Sequence, residues 1–253
     1  MKRLLKQVVI AAIYLLLFGG ALWGLWSYMY PAPAPCPTCE IIKKLSLPVT
    51  VRKVTFTGQS GNTVDVGFQV RNPNPNWGIE DFSYRVDFKD PQGKVLPGSL
   101  YSSGFLMPGQ TRWIMELGKF VPVFSSYEMV ISTSTMQWQK MQPYVTEHDF
   151  VIQNPILKKL VAPAAGYAEV TGSLTNRSQF DAANVEIQAV VYDSKKSIIA
   201  IGNTTMQLLR QGETRNFRVF WARPFSGTDA SFDTFVNVNL MQDQNFLQKY
   251  RTQ

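Results

Sequence analysis

The chain has 253 residues, of which 45% are hydrophobic and 17% charged, so it can bury a core and wholesale disorder is excluded. Its formal charge of +7 includes Lys2, Arg3 and Lys6; without those three, 22 of the 25 basic residues face 18 acidic ones, about +4. No run of four basic residues occurs, and so little clustered charge cannot displace counterions, which excludes nucleic acid as a partner.

Residues 7–29 carry no charge. At about 1.5 Å per residue a helix over this stretch reaches about 34 Å, enough to cross a hydrocarbon layer of about 30 Å. Lys2, Arg3 and Lys6 precede it, and Trp26, Tyr28 and Tyr30 follow at the opposite headgroup level. The excess of basic residues stays cytoplasmic. Residues 1–6 are therefore expected in the cytoplasm, 7–29 as a transmembrane helix in the lipid bilayer of the cytoplasmic (inner) membrane, and the remainder outside it, in the periplasm. A cleaved signal peptide shares the basic start and apolar core. Proline beside each candidate scissile bond at Pro31, Pro33 and Pro35, and Pro35 directly before Cys36, favour an uncleaved signal-anchor. Gly20 and Gly24 give the anchor a small-residue face suited to helix pairing and a homo-oligomer.

Residues 30–40 form a proline-rich stalk that ends in Cys36-Pro-Thr-Cys39. Alternate prolines fix φ and give a stiff spacer of about 3.1 Å per residue. Three chemistries compete for the cysteines: a local or interchain disulfide, a four-thiolate metal site shared by two stalks, and thiol redox work. Two cysteines and one histidine supply no usual zinc set within one chain, so no metal or cofactor site is expected in the monomer.

From residue 49 the periodicity changes to alternation. Val64, Val66, Phe68 and Val70 alternate with polar residues or glycine, as do Phe82, Tyr84, Val86 and Phe88, with turn residues at 72–75 and 90–93. This is the pattern of half-buried antiparallel strands. The pattern then recurs. Residues 64–72 correspond to 168–176, 82–90 to 185–193, 108–113 to 211–216 and 127–134 to 232–239, with offsets of 103 to 105. Units of this length with several short strands predict two tandem immunoglobulin-like β-sandwiches, residues 41–145 and 146–253, behind one transmembrane helix. Pro143, Pro155 and Pro163 mark the boundary, and residues 156–160 read equally as a helical turn or an edge strand.

Residues 169–176, 183–193 and 211–217, with Tyr192-Asp193 and Gln211-Gly-Glu, resemble the FxLYD family of envelope β-sandwiches, although Gly172 is displaced and Arg210-Gln211 replaces a proline. Residues 70–75, Val-Arg-Asn-Pro-Asn-Pro, resemble the water-stress and late-embryogenesis sandwich domains. The resemblance covers most of residues 50–240. It implies anchored, non-enzymatic modules.

Asn72, Asn74 and Trp77 form the candidate binding loop, because a proline-stiffened turn can present a tryptophan at little entropic cost; the same residues also suit a turn that caps the core. His148 lacks a nucleophile motif, and Glu80 and Asp81 read as turn residues. The expected function is a membrane-anchored extracytoplasmic binding or structural module, not an enzyme, working with other envelope or membrane proteins. The alternative is a redox or metal-linked factor using Cys36 and Cys39.

Overall fold

The computed structural model describes residues 18–20, 22–26, 29–30, 42, 44–57, 63–160, 167–225 and 230–251. The chain divides into two units, residues 1–45 and 46–253. In the first, residues 18–20 and 22–26 are helical and expose Phe18, Leu22, Trp23 and Trp26. The Tyr30 N–H donates to the Trp26 carbonyl at 2.8 Å, and their rings lie 4.7 Å apart. Most of the expected span 7–29, and Cys36 and Cys39 in the stalk, lie outside the described residues. Among the described residues no helix is long and apolar enough to cross a membrane.

In the second unit the alternating stretches form antiparallel strands. They are β1 (Val49–Thr57), β2 (Thr63–Arg71), β3 (Trp77–Lys89), β4 (Leu100–Leu106), β5 (Thr111–Phe120), β6 (Ser126–Ile131) and β7 (Trp138–Lys140). A one-turn helix α1 (Thr146–Asp149) leads to β8 (Phe150–Lys159), β9 (Ala168–Asn176), β10 (Ala182–Tyr192), β11 (Ile198–Leu209), β12 (Thr214–Trp221) and β13 (Ser231–Val238), followed by α2 (Gln244–Tyr250). The first half has sheets β1-β2-β5 and β4-β3-β6, with β7 also on β3; the second has β8-β9-β12 and β11-β10-β13. Strand for strand, the two halves share one order.

Two details depart from the sequence reading. Glu80 and Asp81 lie inside β3, where its pairing with β4 shifts between Ile79 and Phe82, and are not turn residues. Residues 156–159 belong to β8, whose register shifts between Gln153 and Ile156 around Asn154 (φ 48°) and Pro155. Among the described residues β8 pairs only with β9, so it is an edge strand, where a residue without an N–H is tolerated.

Each half buries the facing sides of its two sheets. Val64, Val66, Phe68 and Val70 of β2 meet Phe82, Tyr84, Val86 and Phe88 of β3. Val170 and Leu174 of β9 meet Val185, Ile187, Ala189 and Val191 of β10. The sequence reading gives each half an independent core, yet residues 46–253 form one unit, because the outer faces of two sheets also pack together. Trp113 of β5 is buried with Val190 of β10 and Ile201 of β11, flanked by Val54, Phe56, Met115 and Phe235. This is why β10 is buried on both faces: its odd positions 185–191 face its own core, and Val190 and the fully buried Gln188, which donates to the Trp113 carbonyl, face the other half. Gly67 permits the approach, since a Cβ there would lie 2.7 Å from Ile201 Cδ1. The carboxy-terminal segment fastens the halves again. Tyr250 accepts from the Gln142 N–H at 2.8 Å, and Met141 pairs with Arg251.

Candidate functional site

The second unit has two poles. At one, Asn72, Asn74, Met107 and Gly109 of the first half lie with Asn176, Leu209 and Gly212 of the second, and Ser46, the first residue of the unit, exchanges hydrogen bonds with Asn74 (3.1 and 2.7 Å). At the other lie the ends of β1 and β5 and the beginnings of β2, β4 and β6. The halves run side by side with the same polarity: Gln110 bonds Asn237 near the first pole and Arg223 bonds Asp65 near the second.

At the Ser46 pole the candidate loop is turned inward. Asn72 is fully buried; its Nδ2 donates to the carbonyls of Trp77 (2.6 Å) and Met107 (3.0 Å), and its Oδ1 accepts from the Asn74 N–H (3.0 Å) and Nδ2 (3.0 Å). Asn74 is 8% and Trp77 9% exposed. So little exposed area leaves the side chains of Asn72, Asn74 and Trp77 capping the core, while Pro75 and Asn76 between them are exposed. The same geometry explains Asn176, whose neighbourhood Asn176-Arg-Ser178 fits a glycosylation sequon. Its amide is buried and bonded to the carbonyls of Phe180 and Leu209.

The seam holds a buried ion pair. Arg112 donates to Glu186, which also accepts from Asn203 at 2.9 Å, and the guanidinium lies 4.2 Å from the centre of the Phe105 ring. Burial pulls the Arg112 guanidinium below its ordinary value, against the attraction of Glu186. Beside it, burial pushes the Tyr84 hydroxyl well up, while it donates to Glu116 at 2.7 Å. The Arg112–Glu186 pair joins the two halves, while Tyr84 and Glu116 join β3 to β5 within the first.

At the far pole the seam opens into a cleft of ≈ 480 Å³. Its walls include Phe56 of β1, Leu117 of β5, Ile199 of β11, Phe220 and Trp221 of β12, and Phe225. Residues of two β-bulges line it. In the first half the β2–β5 register shifts between Val64 and Val66, so that Leu117 and Gly118 (φ +63°) oppose Asp65, which accepts the Gly118 N–H at 2.6 Å. In the second, Ile199 is skipped in the register between β10 and β11. Bulges re-aim side chains and are enriched beside functional sites. Arg223 crosses the cleft to both carboxylate oxygens of Asp65 (2.9 and 3.0 Å) and to Thr63 Oγ1 (3.0 Å). Sequence reasoning missed this cleft, because no alternation pattern shows where edge strands of two halves will converge. A glycine within a strand, Gly118, was the available signal.

Elsewhere, His148 is exposed on α1, and Tyr144 donates to the neighbouring Asp149 at 2.8 Å. Among the described residues no group of three or more His, Cys, Asp or Glu is placed to hold a metal ion. The chain matches no family model and no curated protein.

Proposed function

We propose that this chain is a single-pass, membrane-anchored module of an envelope protein assembly, with its β-rich part outside the cytoplasmic membrane and acting by binding other envelope or membrane proteins. In this reading each half is an immunoglobulin-like sandwich of the FxLYD or late-embryogenesis kind. The shared strand order and the matching asparagine contacts support that assignment. The charge pattern of residues 1–29 supports the topology.

The observation that carries the reading is the distribution of exposed apolar side chains. Tyr101 (75% exposed), Phe120 (75%) and Val123 (81%) lie toward the pole opposite Ser46, while Leu47, Val49, Ile156 and Leu208 are about half exposed elsewhere. Among the described residues, the three most exposed large apolar side chains of the β-rich part therefore stand at this pole, which supports a contact surface there. The buried charges, by contrast, are spent on internal pairs.

Crosslinking in native membranes, followed by affinity capture of the full chain, tests it. The expected result is a defined set of membrane or envelope proteins whose capture is lost when Phe120 and Val123 are both replaced by Ser. A reporter fused after Gln253 is expected to be active only outside the cytoplasm, and cytoplasmic activity would overturn the topology.

A further inference from the structure

We propose that the seam cleft binds an extended, uncharged apolar segment of a partner polypeptide, an inference that rests on the assembly reading and names the site and chemistry of one contact. Three observations converge on it.

The first is charge. Among the described residues the ionisable groups in the lining are Asp65 and Arg223, and they neutralise each other through two contacts of 2.9 and 3.0 Å. A charged side chain entering the cleft would have to displace one of them in a partly desolvated setting, whereas a neutral one leaves the pair intact. Complementarity therefore selects an uncharged occupant.

The second is backbone. β5, β11 and β12 are each the last strand of a sheet, so each carries an edge of outward N–H and C=O groups. The Ile201 carbonyl of β11 already accepts the Trp221 Nε1–H at 2.8 Å, so the edges left to a partner at this level are those of β5 and β12. A polypeptide in β conformation matches such edges with its own backbone, which a compact apolar ligand cannot do.

The third is side-chain spacing and size. An extended segment points every second side chain to one side. The aromatic and aliphatic walls supplied by Phe56, Leu117, Phe220 and Trp221 would receive those side chains, and the ≈ 480 Å³ volume lies within the range of specific ligand sites.

The test titrates the full-length protein, in detergent micelles, with a fluorescein-labelled, capped hexapeptide alternating Val and Thr, and with counterparts in which Lys or Glu replaces Val. Anisotropy is expected to show saturable binding of the neutral peptide, with both charged peptides about tenfold weaker or more. Ala222→Trp and Thr57→Trp, at two exposed lining positions, are each expected to weaken the neutral peptide about tenfold without shifting the melting temperature. If one variant fails to fold, the other carries the test. Equal binding of all three peptides, binding indifferent to the folded variants, or no saturable binding would overturn the proposal. So would variant-sensitive binding of dodecanoate in place of the peptide, which would assign the cleft to an acyl chain. Crosslinking of the unaltered protein reads the assembly by itself: an assembly found without peptide binding overturns the cleft alone, and no assembly overturns the broader reading whatever the peptide does.

Discussion

Asn72 and Asn176, 104 positions apart, make the same four side-chain hydrogen bonds, each donating to two buried carbonyls and accepting two from the residue two positions on. The backbone repeats too. Asn72 N–H donates to the Gln110 carbonyl and Asn176 N–H to that of Glu213, each at 2.9 Å, beside Gly109 and Gly212 with φ of +67° and +73°. Gln110 and Glu213 each accept from the backbone N–H three positions earlier, at 2.9 and 2.8 Å. One asparagine thus ties a strand end, a turn and the opposite sheet in each half.

Replacing either asparagine by Ala leaves two buried carbonyls without donors, and each loss costs about 1–3 kcal/mol. Asn72→Ala and Asn176→Ala are therefore each expected to destabilise the protein by about 2–5 kcal/mol in urea unfolding. Asn→Asp should do no better, because its second oxygen cannot donate. An effect below about 1 kcal/mol at both positions would assign the turn to its backbone alone.

The apolar seam predicts cooperative unfolding of the two halves. Trp113, Val190 and Ile201 are buried only because the halves meet. Gly67→Val places new atoms against Ile201 and should cost about 1–3 kcal/mol, in the manner of overpacking. Calorimetry should show one transition for residues 46–253 in the unaltered chain and two, or one broadened, in Gly67→Val. Two separate transitions in the unaltered chain would mean that the seam contributes little.

Arg112 is buried against Glu186, so truncating one partner strands the other. Arg112→Ala is expected to cost about 3–5 kcal/mol, while Arg112→Met with Glu186→Met recovers most of that loss, because no buried charge remains. Equal destabilisation by the single and double replacements would show that packing of the arginine stem dominates.

Carboxylates set the acid limit. Hydrogen bonding to Lys158 and Arg218, against burial, holds Glu169 below its ordinary 4.5. The Arg210 backbone N–H and Arg215 do the same for Glu213. For Asp87, whose ordinary value is 3.8, burial raises the carboxyl but Arg85 and Ser99 outweigh it. All three bind protons more weakly folded than unfolded, so their contribution is complete above pH 4.5 and is lost as pH falls through the lowered folded values. The urea midpoint should fall between pH 5 and pH 2, and less steeply in Glu169→Gln.

The sequence by itself determined the local structure. Strict alternation at Val64–Val70 and Phe82–Phe88 specified strands and their buried faces, since a period of two places every second side chain on one side. The offset of about 104 residues, together with Asn and Gly at strand ends, made the common strand order legible, because those residues meet local backbone demands that any chain context imposes. Glu80 and Asp81 were misplaced because two adjacent acidic residues look like a turn, while a long central strand with a register shift accommodates them. Tertiary structure alone decided the rest. Whether Trp77 shows its ring to solvent or to the core depends on what packs over it. Whether Val190 and Trp113 face water or each other, and whether Asp65 and Arg223, 158 positions apart, close one side of a cleft, depend on how two separately patterned halves dock. Periodicity records which side of a strand is apolar; it holds no information about which apolar surface, far along the chain, will cover it.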